Sequence, residues 1–237
     1  MKFKTELHAH SREVSPCADF TVQEVTERYL SDGYTSLVLT NHYTSGILES
    51  AGETWEERIT YYLAPYRQMK EYAKGRLNIL LGCELRFTEN NNDYLILGVT
   101  EEFLIEHPEL YRMNLKSFSA LARENGLLVV QAHPFRNGMT VMPPAYLDGV
   151  EVFNGHMGHD SRNPIADAWA KKFGLLETAG TDFHHPHQNG VAGILTDEPI
   201  ETWEQLLAVL KSGSYTLHCT GPRSEAEGIV DHSPAKI

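Results

Sequence analysis

A single rhythm runs along this chain: a capped amphipathic helix, a glycine, a short apolar strand, then polar residues. Thr21-Val22-Gln23-Glu24 has the form of a capping box, in which a hydroxyl and a carboxylate satisfy the orphan amides of a first helical turn. Val22, Val25 and Tyr29 share one face of the helix it opens, and Gly33 closes it. Residues 36–40 read as the strand that follows. Thr54-Trp55-Glu56-Glu57 opens a second helix, which Pro65 is expected to kink or split and Gly75 to end. Strands follow at 78–84 and, after the Asn90-Asn91-Asn92 turn, at 93–99. Asn114 caps a helix that reaches Gly126 and leads into a strand at 127–132, and 150–153 is a short strand. Asn163-Pro164 opens a helix to Gly174, with proline at a tolerated first position. Residues 175–179 come next, and a last helix over 202–211 carries Trp203, Leu206, Leu207 and Leu210. Near-continuous apolar strands alternating with helices indicate an α/β fold with a parallel sheet covered by helices. About seven such units without a linker fit a closed (β/α) barrel in one domain over residues 1–237 better than an open sheet. Residues 212–237 are expected to add a last strand and a tail.

Metal-type side chains fall at particular places on that map. His8-Ala9-His10 ends the first strand, and side chains two apart share one face of a strand. His42 follows the second strand, Glu84 ends the third, His133 follows Ala132, and Asp182-Phe183-His184 follows Ala179-Gly180-Thr181. Any one of these alone would read as a capping or hydrogen-bonding residue. Together, seven ligand-type residues stand at the carboxyl ends of five strands, the face on which barrels of this kind build active sites. Closed zinc sites use about four ligands each, so seven residues with one bridging carboxylate would fill about two sites. A third ion would leave positions open to water or substrate. Imidazole-rich ligation suits zinc, iron or manganese better than calcium or magnesium, and hydrolysis is the expected chemistry.

Composition narrows the partners. Twenty basic against thirty-two acidic residues give a net charge of −12, which argues against a general binder of nucleic-acid backbones. Two or three divalent ions would add about +4 to +6 at one face, so an anionic substrate remains compatible. Cys17, Cys83 and Cys219 form no Cys-x-x-Cys pair, so a disulfide scaffold or thiolate zinc site is not expected and a reducing cytoplasm is. No apolar run suggests a membrane span, and residues 1–6 lack the apolar core of a signal peptide.

Five segments carry a family resemblance. Glu6-Leu7-His8-Ala9-His10-Ser11, Leu39-Thr40-Asn41-His42, Gly82-Cys83-Glu84, Ala132-His133-Pro134-Phe135-Arg136 and Gly180-Thr181-Asp182-Phe183-His184 resemble, in order and over residues 6–184, the PHP (polymerase and histidinol phosphatase) domain. The resemblance implies a distorted seven-stranded TIM-like (β/α) barrel that holds two or three metals at the strand carboxyl ends and acts as a phosphoesterase. By position it implies that His8, His10, Glu84 and Asp182 hold one metal, with Glu84 bridging to a second held with His133, and that His42 and His184 serve a third. Where the family has an aspartate or histidine soon after the first histidine pair, this chain has Ser15 and Pro16, with Glu13, Cys17 and Asp19 nearby. Glu13 is the expected substitute ligand. A family histidine on the strand after the bridging glutamate is replaced around Asp93-Tyr94.

Glu84, Asp182 and His184 are the residues expected at the reacting centre. Arg136, three residues after His133, is the expected phosphate ligand, because a guanidinium fork matches tetrahedral oxyanions. His159 and His156, in the loop after strand 150–153, and Arg12 are further candidates for substrate contact, whereas Arg86 and Arg162 read as surface salt-bridge residues. His107, His185, His187, His218 and His232 carry no functional expectation. The expected reaction is attack by a metal-bridging hydroxide on a small phosphate ester, of the histidinol-phosphate or nucleotide type. Nucleic acid enters only as a short or mononucleotide substrate. One alternative is an amidohydrolase-type C–N hydrolase, although no lysine stands where its carboxylated bridge would be. Another is a non-catalytic, metal-stabilised partner module.

Overall fold

Local sequence rules start most of the elements. The computed structural model describes residues 2–188 and 190–221; the tail expected over 222–237 lies outside the described residues. Strand β1 (Phe3–Ala9) leads to helix α1 (Val22–Ser31), whose Thr21–Glu24 capping box is complete. Strands β2 (Tyr34–Leu39) and β3 (His42–Tyr43) and helix α2 (Ser45–Ser50) follow. Helix α3 (Trp55–Ala73) opens on the Thr54–Glu57 capping box. Pro65 does not split it: proline forfeits one hydrogen bond, but Ile59, Tyr62, Leu63, Tyr66 and Met69 on both sides are buried and hold the helix together.

Next come β4 (Asn78–Leu81), β5 (Cys83–Arg86), β6 (Asp93–Leu97), α4 (Glu101–Glu106), α5 (Leu115–Glu124) and β7 (Leu128–Gln131). The chain continues through β8 (Gly149–Asn154), α6 (Asn163–Phe173), β9 (Leu176–Gly180), β10 (Ala192–Thr196), α7 (Trp203–Ser212) and β11 (Thr216–Cys219). The strand expected over 78–84 is interrupted at Gly82. A Cβ there would lie 2.7 Å from Val38 Cγ1 and 2.9 Å from Thr40 Cγ2, so only glycine lets the two strands approach.

The ladders form two sheets, in the orders β11-β10-β1-β2-β4 and β3-β5-β6-β7-β8-β9. Pairing is mixed rather than parallel throughout: β6 runs antiparallel to β5 and β7, and β10 antiparallel to β1 and β11. The β5–β6 connection is too short for the crossover that a parallel pair requires. The sheets meet along two seams. At one, Gly82 N donates to Leu39 O (2.9 Å) and Glu84 N to Asn41 O (3.1 Å). At the other, Ala9 bridges Phe183 in parallel, with His10 N donating to Phe183 O (3.2 Å) and Phe183 N to His8 O (3.3 Å). Leu7, Val38 and Leu80 of the first sheet pack with Leu95, Leu128 and Val130 of the second in one apolar cluster, covered by Leu206 and Leu210 of α7. That shared core draws both sets of strand ends toward one region. No described helix is long and apolar enough to cross a membrane.

Candidate metal centre

Strand register delivers the ligand-type side chains. β3 pairs with β5 so that His42 lies opposite Glu84. Glu84 is buried, and its carboxylate lies near four imidazoles: His8 Nε2 at 3.2 Å, His10 Nε2 at 3.6 Å, His42 Nδ1 at 2.5 Å and His133 Nε2 at 3.3 Å. Asp182 Oδ1 lies 3.3 Å from His8 Nε2, 3.4 Å from His10 Nε2 and 3.2 Å from His184 Nδ1. All seven expected ligands are therefore brought together. Joined by Asp93, their donor atoms fall into three sets, each within 4.8 Å: His8, His10 and Asp182; Glu84, Asp93 and His133; and His10, His42 and His184.

His133 (φ 29°) and Asp182 (φ 52°) both adopt left-handed backbone just beyond a strand, a strained conformation that recurs at functional sites. Glu151 on β8 supports the cluster from behind. It accepts from His8 Nδ1 (2.9 Å), His133 N (3.0 Å) and Asn154 Nδ2 (2.8 Å). A carboxylate on Nδ1 fixes the tautomer that leaves Nε2 free for a metal. Gly180 makes room for this pair, since a Cβ there would sit 2.4 Å from His8 Cβ and 2.6 Å from Glu151 Oε1.

These donors fit divalent ions. His8 Nε2 and His10 Nε2 are fully buried and make no hydrogen bond, a cost that coordination would remove. Electrostatics agree. Burial disfavours the imidazolium form, yet Glu84 outweighs it at His42, and hydrogen bonds to Asp182 and Cys17 outweigh it at His184, pushing both to about 10. Burial likewise opposes charge on His8 and His133, but neighbouring carboxylates raise both. Burial also opposes ionisation of Glu84 and Asp182, but the surrounding histidines hold both well below the usual carboxylate range. At pH 7 the metal-free cluster thus holds protons where an ion would sit, and an ion must expel them. Adding zinc to metal-free protein in weak buffer at pH 7 should acidify the solution, with affinity rising as pH rises. Binding without proton release would contradict this charge assignment.

A cleft of about 180 Å³ opens over the cluster, lined by Cys17, Arg86, Arg136, His156, His159 and His185 as well as the ligand-type residues. A larger hollow of about 800 Å³ lies elsewhere, beside Leu175, Lys211 and Tyr215, and gathers no comparable set of donors.

Comparison with known proteins agrees with this geometry. The family model described as PHP-associated matches residues 160–215. A two-domain protein from Bacteroides vulgatus, containing a predicted PHP-like metal-dependent phosphoesterase, superposes with a TM-score of 0.68 at 16% identity over 92% of this chain. The chain shares the fold of that protein. It spans 65% of that neighbour's length. PsfC from Pseudomonas syringae superposes with a TM-score of 0.66 at 16% identity, over 94% of each chain. Endonuclease Q, in complex with a 27-mer duplex bearing an abasic lesion at its active site, gives a TM-score of 0.62 at 16% identity, over 90% of this chain and 57% of its own. No curated protein matches the sequence.

Around this cleft, the remaining candidates separate. Arg136 lines the cleft. His159 does too, with Nε2 3.6 Å from Asp182 Oδ2 and its ring stacked on His156 at 4.4 Å. Burial lowers both rings, His156 to about 4, so both are neutral at pH 7. Arg12 turns away: its Nη1 reaches Asp19 O at 3.5 Å and it does not line the cleft. Glu13 is not brought into the cluster, because its carboxylate accepts from Val22 N at 3.0 Å, at the start of α1.

Arg86 forms the expected salt bridge, though with a buried partner, whereas the contacts of Arg162 are hydrogen bonds to a neighbouring loop. Arg86 grips the buried Asp93 bidentately at 2.7 Å, and Arg162 donates to Phe135 O at 2.8 Å and to Asn137 Oδ1, bracing the loop that bears Arg136. Asp93 stands beside Glu84 and His133. Burial and the Glu84 charge raise its pKa despite Arg86, the state of a carboxylate that gains from a nearby cation.

Proposed function

We propose that this protein is a metal-dependent hydrolase of phosphate esters, acting on a small substrate of the phosphomonoester or nucleotide type. The observation that carries this reading is Glu84, one buried carboxylate within 3.6 Å of four imidazoles from three segments of the chain, beneath a cleft that also holds Arg136. In this reading His8, His10, Glu84 and Asp182 hold one divalent ion, Glu84, His133 and Asp93 a second, and His42 and His184 a third. The metals are zinc, manganese or iron, as imidazole-rich sites favour. Bound, they would supply Lewis acidity to the phosphate oxygens and a water acidic enough to attack at neutral pH.

The chain's own residues do the rest. Arg136 grips the phosphate and neutralises charge that builds in the transition state. Glu151 holds the His8 ring in register. His159, neutral and at the rim beside Asp182, accepts or donates a hydrogen bond to the substrate. The two sheets, joined at both seams, are read as a distorted seven-stranded TIM-like barrel in a single domain. The free thiols of Cys17, Cys83 and Cys219 suit a cytoplasmic setting.

The fold neighbour that binds duplex DNA raises a second reading, cleavage of a nucleic-acid phosphodiester. The net charge of −12 and the small cleft favour the small substrate. The C–N hydrolase alternative has less support, since no lysine lines the cleft among the described residues.

Assaying metal-loaded protein against phosphomonoester, phosphodiester and abasic-DNA substrates separates these readings. The expected result is phosphomonoester or mononucleotide turnover that a chelator abolishes; turnover of none would overturn the proposal. Arg136→Lys should raise KM about tenfold or more, about 1.4 kcal/mol of lost bidentate contact, at unchanged metal content. A kinetically silent substitution would remove Arg136 from the substrate site.

A further inference from the structure

Near the third metal position proposed above, Glu13 and Ser15 are both engaged elsewhere. Ser15 Oγ is already engaged with His10 Nδ1 (3.3 Å), Asn41 Oδ1 (3.1 Å) and His42 N (3.1 Å), and Glu13 caps the start of α1. Asp19 faces outward to His185 Nδ1 at 3.0 Å. Cys17 is the residue of this segment that lines the cleft, with Sγ 3.2 Å from His42 Nε2. His42 Nε2 in turn lies 3.4 Å from His184 Nε2.

Those separations are close to those of a coordinated set. Two nitrogens each bound at 2.0–2.1 Å in a tetrahedral site lie about 3.3–3.4 Å apart, and a sulfur at 2.3 Å lies about 3.6 Å from such a nitrogen. The His42–His184 spacing meets the first value, and the Cys17–His42 spacing is a few tenths of an ångström tighter than the second. A second observation points to the same place. His10 is fully buried, its Nε2 makes no hydrogen bond, and a ring nitrogen of His10 lies within 4.8 Å of the His42 and His184 donors.

We propose that Cys17 is a thiolate ligand of the third metal position, together with His42 and His184, and that it makes this position prefer zinc or cobalt over manganese or magnesium. The preference follows from ligand softness: thiolates favour zinc, whereas carboxylate and water ligands favour the harder ions. The sequence alone gave no reason to expect a thiolate site, because Cys17 has no cysteine partner in a Cys-x-x-Cys spacing. Its partners are histidines from other strands, which only the fold brings near. Electrostatics are compatible: burial would raise the thiol, but hydrogen bonds with His184 and His42 bring it down to about 6.

This inference rests on the metal-binding reading above, and cobalt distinguishes the failure of one from the failure of the other. Metal-free protein is titrated with cobalt(II) and its absorption recorded, then the same is done with Cys17→Ser, a variant of an exposed residue. The expected result is a thiolate-to-cobalt charge-transfer absorption in the near ultraviolet that Cys17→Ser lacks, with one fewer ion per chain by elemental analysis and the others retained. Manganese should not protect Cys17 from alkylation, whereas zinc should slow it at least about tenfold. Cobalt bound without that absorption, or with it unchanged in Cys17→Ser, overturns the role of Cys17 while leaving the metal reading intact. No cobalt bound at all overturns both.

Discussion

Glu84→Ala should lose more than one metal ion per chain and lower turnover by more than about 10³-fold, beyond the loss typical of a single electrostatic contact. Glu84 touches His8, His10, His42 and His133, so its removal leaves two ion positions facing each other with one fewer negative charge between them. Two divalent ions at the usual separation of about 3.5–4 Å repel by about 17–19 kcal/mol even at an effective dielectric of about 20. His42→Ala and His184→Ala should behave differently, because in the proposed arrangement each serves a single position. Partial metal loss and reduced turnover are expected for both. Metal counts on the three variants side by side decide the matter. A full complement in Glu84→Ala, with an emptied His42→Ala, would show that the bridge has been placed on the wrong residue.

Metal loading should also change stability on a large scale. Metal-free, the centre buries Glu84, Asp93, Glu151 and Asp182 among histidines, an arrangement in which burial opposes most of the charges present. An ion at about 1,000 times its dissociation constant stabilises the folded state by about 4 kcal/mol per site. Two filled sites therefore contribute roughly 8 kcal/mol, and a chain of this size gains about 2–4 °C per kcal/mol. Zinc or manganese should accordingly raise Tm by at least about 15 °C, and a chelator should reverse the shift. A Tm indifferent to both ions would mean that the cluster is held by its hydrogen bonds alone.

Much of this was legible in the sequence because it is local. Threonine and asparagine caps mark helix starts within one turn, and the Thr21, Thr54, Asn114 and Thr202 caps all form. The seven ligand-type residues were legible because strand ends can be read locally and their chemistry is unusual. What escaped depends on pairing between distant segments. The split into two sheets follows from register across seams such as Ala9–Phe183, which no local pattern encodes. Strand β10 was missed although residues 192–196 are largely apolar, since Gly193 breaks the pattern; its φ of 141° lets Thr5 O approach where a Cβ would clash at 2.3 Å.

Among site residues, Glu151 was hidden inside Val150-Glu151-Val152, where a lone carboxylate reads as a solvent-facing alternation. Only the proximity of His8 shows that it faces inward. Asp93 stood out in the sequence only as the place where a family histidine is replaced, and the pairing of β5 with β6 is what sets it beside Glu84. Glu13 was favoured by chemistry and excluded by direction, because its carboxylate accepts from the Val22 N–H in the first turn of α1.

The most direct test of the metal centre is elemental analysis of the full chain purified without chelator and again after reconstitution with zinc, manganese or iron. Two or three transition-metal ions per chain are expected, falling to one or fewer in a variant that combines Glu84→Ala with Asp182→Ala. Fewer than one ion per chain after reconstitution would contradict the account.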